Sequence, residues 1–359
     1  MNKNEKLYKT LFLSPFRYLK PSVRTEAYFI LVLLIPQLIM LGLTKSFDSL
    51  ILILASCIAS CLVEGVDLFF QKKDKFSWVI ALLNGIMIGL LLPASFPVFP
   101  VFVISLCVLL INRYILGGFA NSWINSIAIT VAICWIIGMK FFPPVSLSLA
   151  ELQTRNPALA LIQNGTFSIN SLDAEITAFL NQKVFSIFKV SIPDGYVSLF
   201  WDSQSAIPAF RFNFITLISS IILIGFDIMN PIIPVTYIAV YSVLVRFIAP
   251  FFYNGPLMQG DIILAMLTSG TLFCTFYLLQ WPGTTPFTNR GKFTYGIMAG
   301  IAAFFIVGCG TSPSGAVFTI LIINVVSLLI QSFENKLYSD FSETVLSERV
   351  KNVKEGTDA

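Results

Sequence analysis

The sequence predicts an all-α polytopic membrane protein, with about ten transmembrane helices in two inverted five-helix halves and one long extracytoplasmic loop. Three observations support this fold class. Hydrophobic residues make up 56% of the 359 residues, charged residues make up only 12%, and apolar stretches recur along the chain. Soluble domains are about a quarter charged, so the composition excludes a water-soluble enzyme.

The apolar stretches predict the individual helices, because about 20 apolar residues cross the hydrocarbon core of a bilayer. Turn-forming Gly, Pro, Asn and Ser residues separate one stretch from the next. The predicted spans are residues 27–44, 49–70, 78–92, 98–116, 122–142, 212–229, 231–253, 261–280, 293–308 and 313–331.

The basic residues predict the orientation, because Lys and Arg are retained on the cytoplasmic side of short loops. With the N-terminus inside, 16 of the 23 Lys and Arg residues fall in cytoplasmic segments, so both termini are predicted to be cytoplasmic. The expected divisions are an N-terminal segment (1–26), a first transmembrane half (27–142), an extracytoplasmic loop (143–208), a second transmembrane half (209–331) and a C-terminal tail (332–359).

The net charge and the absence of histidine limit the ligands and reactions that the chain can support. A net charge of +4, spread along the chain, does not indicate a nucleic-acid surface. The chain has no histidine, which removes the commonest metal ligand and the usual general base at neutral pH. The sequence therefore predicts no catalytic side chain and no metal site.

Charged residues inside apolar spans are the candidates for an ion path, because they are costly in a membrane. Arg246 lies deep in the span 231–253, and a structural or interfacial role is the alternative. Glu64 and Asp67 lie three residues apart on one predicted helix face, where they could coordinate a cation or form a solvated helix end.

One block of the chain resembles a known family. The residues Leu267, Ser269, Gly270 and Thr271, followed by Thr288-Asn289-Arg290-Gly291, are similar to the L-x-S-G-A-T and T-N-R-G-R motifs of the RnfD family, whose members belong to the ion-translocating oxidoreductase (Rnf) complex. This family is related to NqrB of the sodium-pumping NADH:quinone oxidoreductase. Gly310, Pro313, Gly315 and Asn324 continue the resemblance, which extends more weakly over nearly the whole chain.

The resemblance implies one component of a larger enzyme rather than an isolated enzyme. The complex passes electrons between ferredoxin and NAD and couples this to Na+ or H+ translocation, so the implied partners are other complex subunits in the lipid bilayer of the bacterial inner membrane. Family members carry FMN on a threonine of the outer loop, and Thr177 is the best positional match. Whether a second, non-covalent flavin is held stays open.

Three functional hypotheses stay open. The first is the flavin-bearing, ion-coupled electron-transfer subunit. The second is a solute transporter or channel built on an inverted-repeat scaffold, because a fold does not determine a function. The third is a scaffold subunit of the complex without covalent flavin, in which Thr177 is an ordinary loop threonine.

Overall fold

A computed structural model describes residues 21–71, 76–143, 147–154, 169–189, 191–308 and 311–357, with the backbone alone at 67, 70, 71, 188 and 341–357. All regular secondary structure in these ranges is helical. Most of the predicted N-terminal segment, residues 1–20, lies outside these ranges, as does Gly310 of the resembling block, whereas the predicted C-terminal tail is described as far as residue 357.

The helices form three groups along the chain. The first group contains α1 (Val23–Leu43), α2 (Phe47–Gln71), α3 (Trp78–Leu90), α4 (Val98–Tyr114) and α5 (Ser126–Ile137). Short helices follow in the outer segment, which we define as residues 143–208: α6 (Leu149–Leu152), α7 (Asp173–Lys183) and α8 (Tyr196–Trp201). The last group contains α9 (Asn213–Gly225), α10 (Ile232–Val243), α11 (Ala249–Tyr253), α12 (Ile262–Thr268), α13 (Thr271–Phe273), α14 (Asn289–Ile306) and α15 (Gly315–Thr357).

The helix lengths confirm the all-helical membrane class. Four stretches are long and apolar enough to cross a bilayer, namely Val23–Leu43, Phe47–Val66, Ile232–Tyr253 and Gly315–Asp340. Four shorter apolar helices are Trp78–Leu90, Val98–Tyr114, Ser126–Ile137 and Asn213–Gly225. The number of spans, the two inverted halves and the domain boundaries stay predictions.

Two predicted spans, 122–142 and 261–280, are less continuous in the structure than the sequence predicts. In the span 122–142 the α-helix runs only from Ser126, where Asn125 caps its start, to Ile137, and Gly138 separates it from a short 3-10 turn at Met139–Phe141. Asn125 Oδ1 accepts the N–H groups of Ile127 at 2.9 Å and Ala128 at 3.3 Å. A 12-residue helix extends about 18 Å, well short of the hydrocarbon core.

The span 261–280 is interrupted. Helix α12 ends at Thr268, and Gly270 adopts a φ of 74° before α13 begins. That φ favours glycine, and a Cβ at this position would lie 2.5 Å from the Phe210 ring. Beyond the break, residues Cys274–Leu278 form a π-helical turn. A second π-helical turn, Leu244–Ile248, joins α10 to α11. Such turns occur frequently at functional sites.

Glycines set the closest helix contacts in the first group. A Cβ on Gly85 would lie 2.4 Å from the Cα of Cys57, and one on Gly89 would lie 2.5 Å from the Cα of Ile53. Helix α3 therefore packs its glycine face directly on the backbone of α2. In the last group, Gly296 and Gly300 of α14 pack in the same way against α10. Small residues permit this approach between apolar helices.

Segments predicted to lie on the same side of the membrane contact one another. On the predicted outer side, Arg211 Nη1 donates to Ser46 Oγ at 2.8 Å, and Ser314 Oγ donates to the Pro143 carbonyl at 3.3 Å. On the predicted cytoplasmic side, Gly283 packs against the backbone of residues 120 and 122. The connecting segments thus gather at two ends of the helices.

Candidate functional site

Thr177, the flavin candidate, lies on α7 and is buried. Its side chain is only 2% exposed, and its Oγ1 donates to Asp173 Oδ1 at 3.3 Å. The hydroxyl therefore faces the interior of the outer segment rather than water.

Asp173 is the centre of this part of the outer segment. It is fully buried, and its carboxylate accepts the N–H groups of Gly195 at 2.7 Å and Ser198 at 2.6 Å and the Ser198 hydroxyl at 2.6 Å. Because the first N–H groups of a helix lack partners within the helix, the carboxylate caps α8 from a distant position in the chain. Gly195 permits the turn with a φ of 106°.

The residues around Thr177 do not fit a flavin phosphoester. Attachment would require the buried Oγ1 to leave the helix packing, and it would place a phosphate beside the Asp173 carboxylate. Like charges at such a distance repel strongly where water is excluded. Lys183, the basic residue at the end of α7, is exposed and lies six residues further along the helix.

Arg246 lies on the π-helical turn Leu244–Ile248. Its Nη1 donates to the Gly260 carbonyl at 3.2 Å, and the Gly260 N–H donates back to the Arg246 carbonyl at 3.3 Å. A Cβ on Gly260 would lie 1.9 Å from the Val245 carbonyl oxygen, so only glycine fits against this turn. Arg246 is thereby fixed at the end of α10 that faces the outer segment.

A cavity of about 370 Å³ lies beside Arg246 and is also lined by Tyr196 and Asp261. The Tyr196 hydroxyl donates to Asp261 Oδ2, which joins the outer segment to the start of α12. Burial, and then the neighbouring Asp261 carboxylate, raises the pKa of Tyr196, so the phenol stays a donor at neutral pH. The cavity combines a guanidinium, a carboxyl and a hydroxyl group, which suits a small polar ligand or water.

The carboxylate candidates lie in a different place from Arg246. Glu64 is 8% exposed, and its Oε1 lies 3.6 Å from Arg113 Nη1. Its charge is therefore compensated by α4. Asp67 lies on the same helix, but its side chain is outside the described residues. The structure does not bring Arg246 and Glu64 into one site.

Glu334 is a further buried carboxylate that was not predicted as a site residue, because the sequence places it in the cytoplasmic tail. Glu334 is 7% exposed, and it accepts the N–H groups of Phe287 at 3.0 Å and Thr288 at 3.2 Å, together with the Thr288 hydroxyl. Thr288 in turn caps α14 by accepting the Gly291 N–H at 2.9 Å. A Cβ on Gly291 would lie 2.0 Å from Glu334 Oε1.

These contacts give a physical reason for the Thr288-Asn289-Arg290-Gly291 motif. The threonine caps the helix, and the glycine leaves space for the carboxylate of Glu334. The partner lies 46 residues further along the chain, so local sequence spacing could not reveal it.

Comparison with known proteins places this architecture in a family. The model of the NQR2, RnfD, RnfE family matches residues 10–338. Three relatives are the D subunits of ion-translocating oxidoreductase complexes. The one from Sodalis glossinidius is 22% identical over 338 residues, an alignment that covers 89% of this chain and 95% of that protein. The one from Pectobacterium carotovorum is 22% identical over 342 residues, with the same shares covered. The one from Aliivibrio salmonicida is 21% identical over 339 residues, again with 89% and 95% covered.

The resemblance seen in the motifs is therefore confirmed over nearly the full length. The matched region includes the interrupted helix and the contact between Glu334 and Thr288. The chain belongs to the NQR2, RnfD, RnfE family of membrane proteins.

Proposed function

We propose that the chain is a membrane subunit of an Rnf-type complex that passes electrons between ferredoxin and NAD and couples this to Na+ or H+ translocation. The observation that carries the proposal is the family match over residues 10–338, together with relatives named as D subunits of an ion-translocating oxidoreductase complex. The apolar helices support insertion in a membrane. The proposal places the chain in the bacterial inner membrane with both termini cytoplasmic, as the distribution of Lys and Arg predicts.

The partners in this proposal are the other subunits of the complex, the bilayer and the transported cation. Many large apolar side chains are exposed, among them Phe69 at 80%, Phe99 at 77% and Leu43 at 71%. Exposed apolar surface on this scale indicates contact with lipid or with apolar faces of other subunits.

FMN, and a second non-covalent flavin, form the cofactor part of the proposal. When bound, a flavin supplies electron transfer without a histidine or a metal. The geometry at Thr177 does not fit the covalent form, so we assign no electron-transfer step to this position. The proposal is therefore a flavin that is held without a covalent bond to Thr177.

The electron-transfer proposal is tested on the whole complex in proteoliposomes. Complexes with this chain should reduce NAD with reduced ferredoxin and take up Na+ or H+, and complexes lacking it should do neither. Unchanged activity without the chain would reject the proposal.

The flavin proposal is tested on the denatured chain by in-gel ultraviolet fluorescence. Fluorescence that is lost in Thr177→Ala and kept in Glu175→Gln would establish a bond to Thr177, and would show that α7 opens before attachment. Absence of fluorescence, with flavin released from the native complex, would establish non-covalent binding.

A transporter or channel is the second candidate function. The interrupted helix at Ser269 and Gly270 favours it, because many transporters bind substrates where helices are broken. Solute uptake by the chain alone in liposomes would support this candidate, and uptake only with the complex would exclude it.

A further inference from the structure

A cluster of buried polar side chains lies between α1, α9 and the π-helical turn after α13. Gln37 is 1% exposed, Thr216 is 1% exposed, Ser219 is 3% exposed and Tyr277 is 2% exposed. Four polar side chains so deeply buried among apolar helices need hydrogen-bond partners or a bound ligand.

The hydrogen bonds within the cluster satisfy only some of its donor and acceptor groups. Gln37 Nε2 donates to Thr216 Oγ1 at 3.0 Å, and Thr216 Oγ1 donates to the Phe212 carbonyl at 3.2 Å. Ser219 Oγ donates to the Leu33 carbonyl at 3.5 Å, one helical turn from Gln37. These contacts pair α1 and α9, the first helices of the two predicted halves.

Two buried side-chain oxygens of the cluster lack a hydrogen-bond partner among the described residues. Gln37 Oε1 is buried and has no hydrogen-bond partner among the described residues. Tyr277 Oη lies next to Ser219 but makes no hydrogen bond of good geometry within the described part of the chain. A buried acceptor without a partner indicates a water or an ion that completes the site.

We propose that Gln37, Thr216, Ser219 and Tyr277 form a binding site for a small monovalent alkali cation. The inference rests on the proposed function, because it makes this cluster a binding site for the transported ion. Oxygen ligands suit a hard cation. None of the four side chains is a carboxylate that would balance a divalent charge. None is a carboxyl or imidazole group that would take up a proton near neutral pH, so the cluster favours Na+ over H+.

The π-helical turn explains how Tyr277 reaches the cluster. A π-helical turn inserts an extra residue into the helix, which rotates the following side chains relative to a regular α-helix. The Leu279 N–H donates to the Cys274 carbonyl at 2.8 Å, and this bond to the fifth residue back along the chain is the one that defines a π-helical turn. Tyr277 lies within it and faces Ser219 of α9.

The test measures equilibrium binding of ²²Na+ to the purified complex that contains the full chain. Tyr277→Phe removes only Oη, and Thr216→Val replaces the hydroxyl with a methyl group of similar shape. Each variant should bind Na+ about tenfold more weakly, which corresponds to about 1.4 kcal/mol. The half-saturating Na+ concentration for electron transfer should rise by the same factor, with the rate at saturating Na+ retained.

Thr130→Val is the matched control. Thr130 is also a fully buried threonine whose Oγ1 donates to the carbonyl four residues earlier, at 2.8 Å, but it lies on α5 outside the cluster. This variant should bind Na+ as the unchanged protein does. Equal loss in Thr130→Val and Thr216→Val would show a general effect on folding and would reject the site.

The remaining outcomes separate the site from the proposed function. Unchanged Na+ binding in both cluster variants, with Na+-coupled electron transfer intact, would reject the site and leave the function standing; the cluster would then hold only water. Absence of ferredoxin-dependent NAD reduction in the unchanged complex would reject the function, whether or not Na+ binds. Ion transport that never requires Na+ would overturn the cation assignment.

Discussion

Asp173 shows how much of the outer segment depends on one side chain. Its carboxylate accepts hydrogen bonds from Thr177, Gly195 and Ser198, which belong to two helices and the turn before the second. Hydrogen bonds to a buried charge contribute about 1.5–3 kcal/mol each. Thr177 is one of the donors, so its hydroxyl group helps to stabilise the fold of the outer segment.

Substitution of Asp173 should therefore loosen the outer segment. Asp173→Ala leaves the N–H groups of Gly195 and Ser198 without their acceptor, at a cost of about 1–3 kcal/mol for each unpaired group. Amide hydrogen exchange should become faster at residues 195–198. Glu175→Ala, at an exposed position on the same helix, is the control and should leave this exchange unchanged.

Glu334 gives a second prediction at this scale. Glu334→Ala should raise amide exchange at Phe287 and Thr288, because both N–H groups donate to its carboxylate. We expect a loss of about 1–3 kcal/mol in local stability. Lys336→Ala removes an exposed neighbour and should have no such effect. Equal exchange in both variants would contradict the assigned role of Glu334.

At the scale of helices, the close packing of α3 on α2 depends on glycine. Gly85→Ala and Gly89→Ala would place a Cβ within 2.5 Å of backbone atoms, which cannot move aside as a flexible side chain can. Overpacking of this kind costs about 1–3 kcal/mol. The thermal unfolding midpoint in detergent should fall in both variants.

Two other helical glycines provide matched controls. Gly42 and Gly65 have no atom within 4 Å of a built Cβ. Alanine is favoured over glycine in a helix by about 1 kcal/mol, so Gly42→Ala and Gly65→Ala should leave the unfolding midpoint unchanged or raise it. A fall as large as that in Gly85→Ala would refute the packing argument.

The sequence predicted the helices better than their interruptions. Apolar stretches are enough to locate a helix, because burial and lipid contact both select apolar side chains. The ends of α5 and α12 depend on Asn125 and Gly270, whose effects come from a cap and a positive φ. The π-helical turns at 244–248 and 274–278 have no comparable signal in the local sequence.

The functional residues were harder to predict from the sequence than the helices. The cost of a charge in a membrane points to Arg246 and Glu64, whereas an uncharged amide such as Gln37 gives no comparable signal in the sequence. The pairing of Gln37 with Thr216 joins positions 179 residues apart, which no local pattern can reveal. Thr177 was selected because it best matches the flavin-bearing threonine of the resembling family, and the match could not reveal that its side chain is buried beside Asp173.

At the scale of the whole molecule, the grouping of connecting segments predicts which residues face each side of the membrane. Leu257 is 62% exposed in a segment predicted to be outside, and Phe287 is 67% exposed in one predicted to be cytoplasmic. With the native cysteines replaced, Leu257→Cys should react with a membrane-impermeant maleimide in intact cells. Phe287→Cys should react only after the membrane is opened. The reverse pattern would invert the proposed orientation.

The bond between Tyr196 and Asp261 has a mechanical consequence. It fastens the outer segment to the first turn of α12, and the chain breaks at Ser269 and Gly270 immediately below that helix. A movement of the outer segment would therefore act first on α12, a helix of only seven residues that ends at the break. Because the helix is broken there, a change in the tilt of α12 is not passed on rigidly to the π-helical turn that contains Tyr277. The outer segment and the buried oxygens around Tyr277 are therefore mechanically uncoupled.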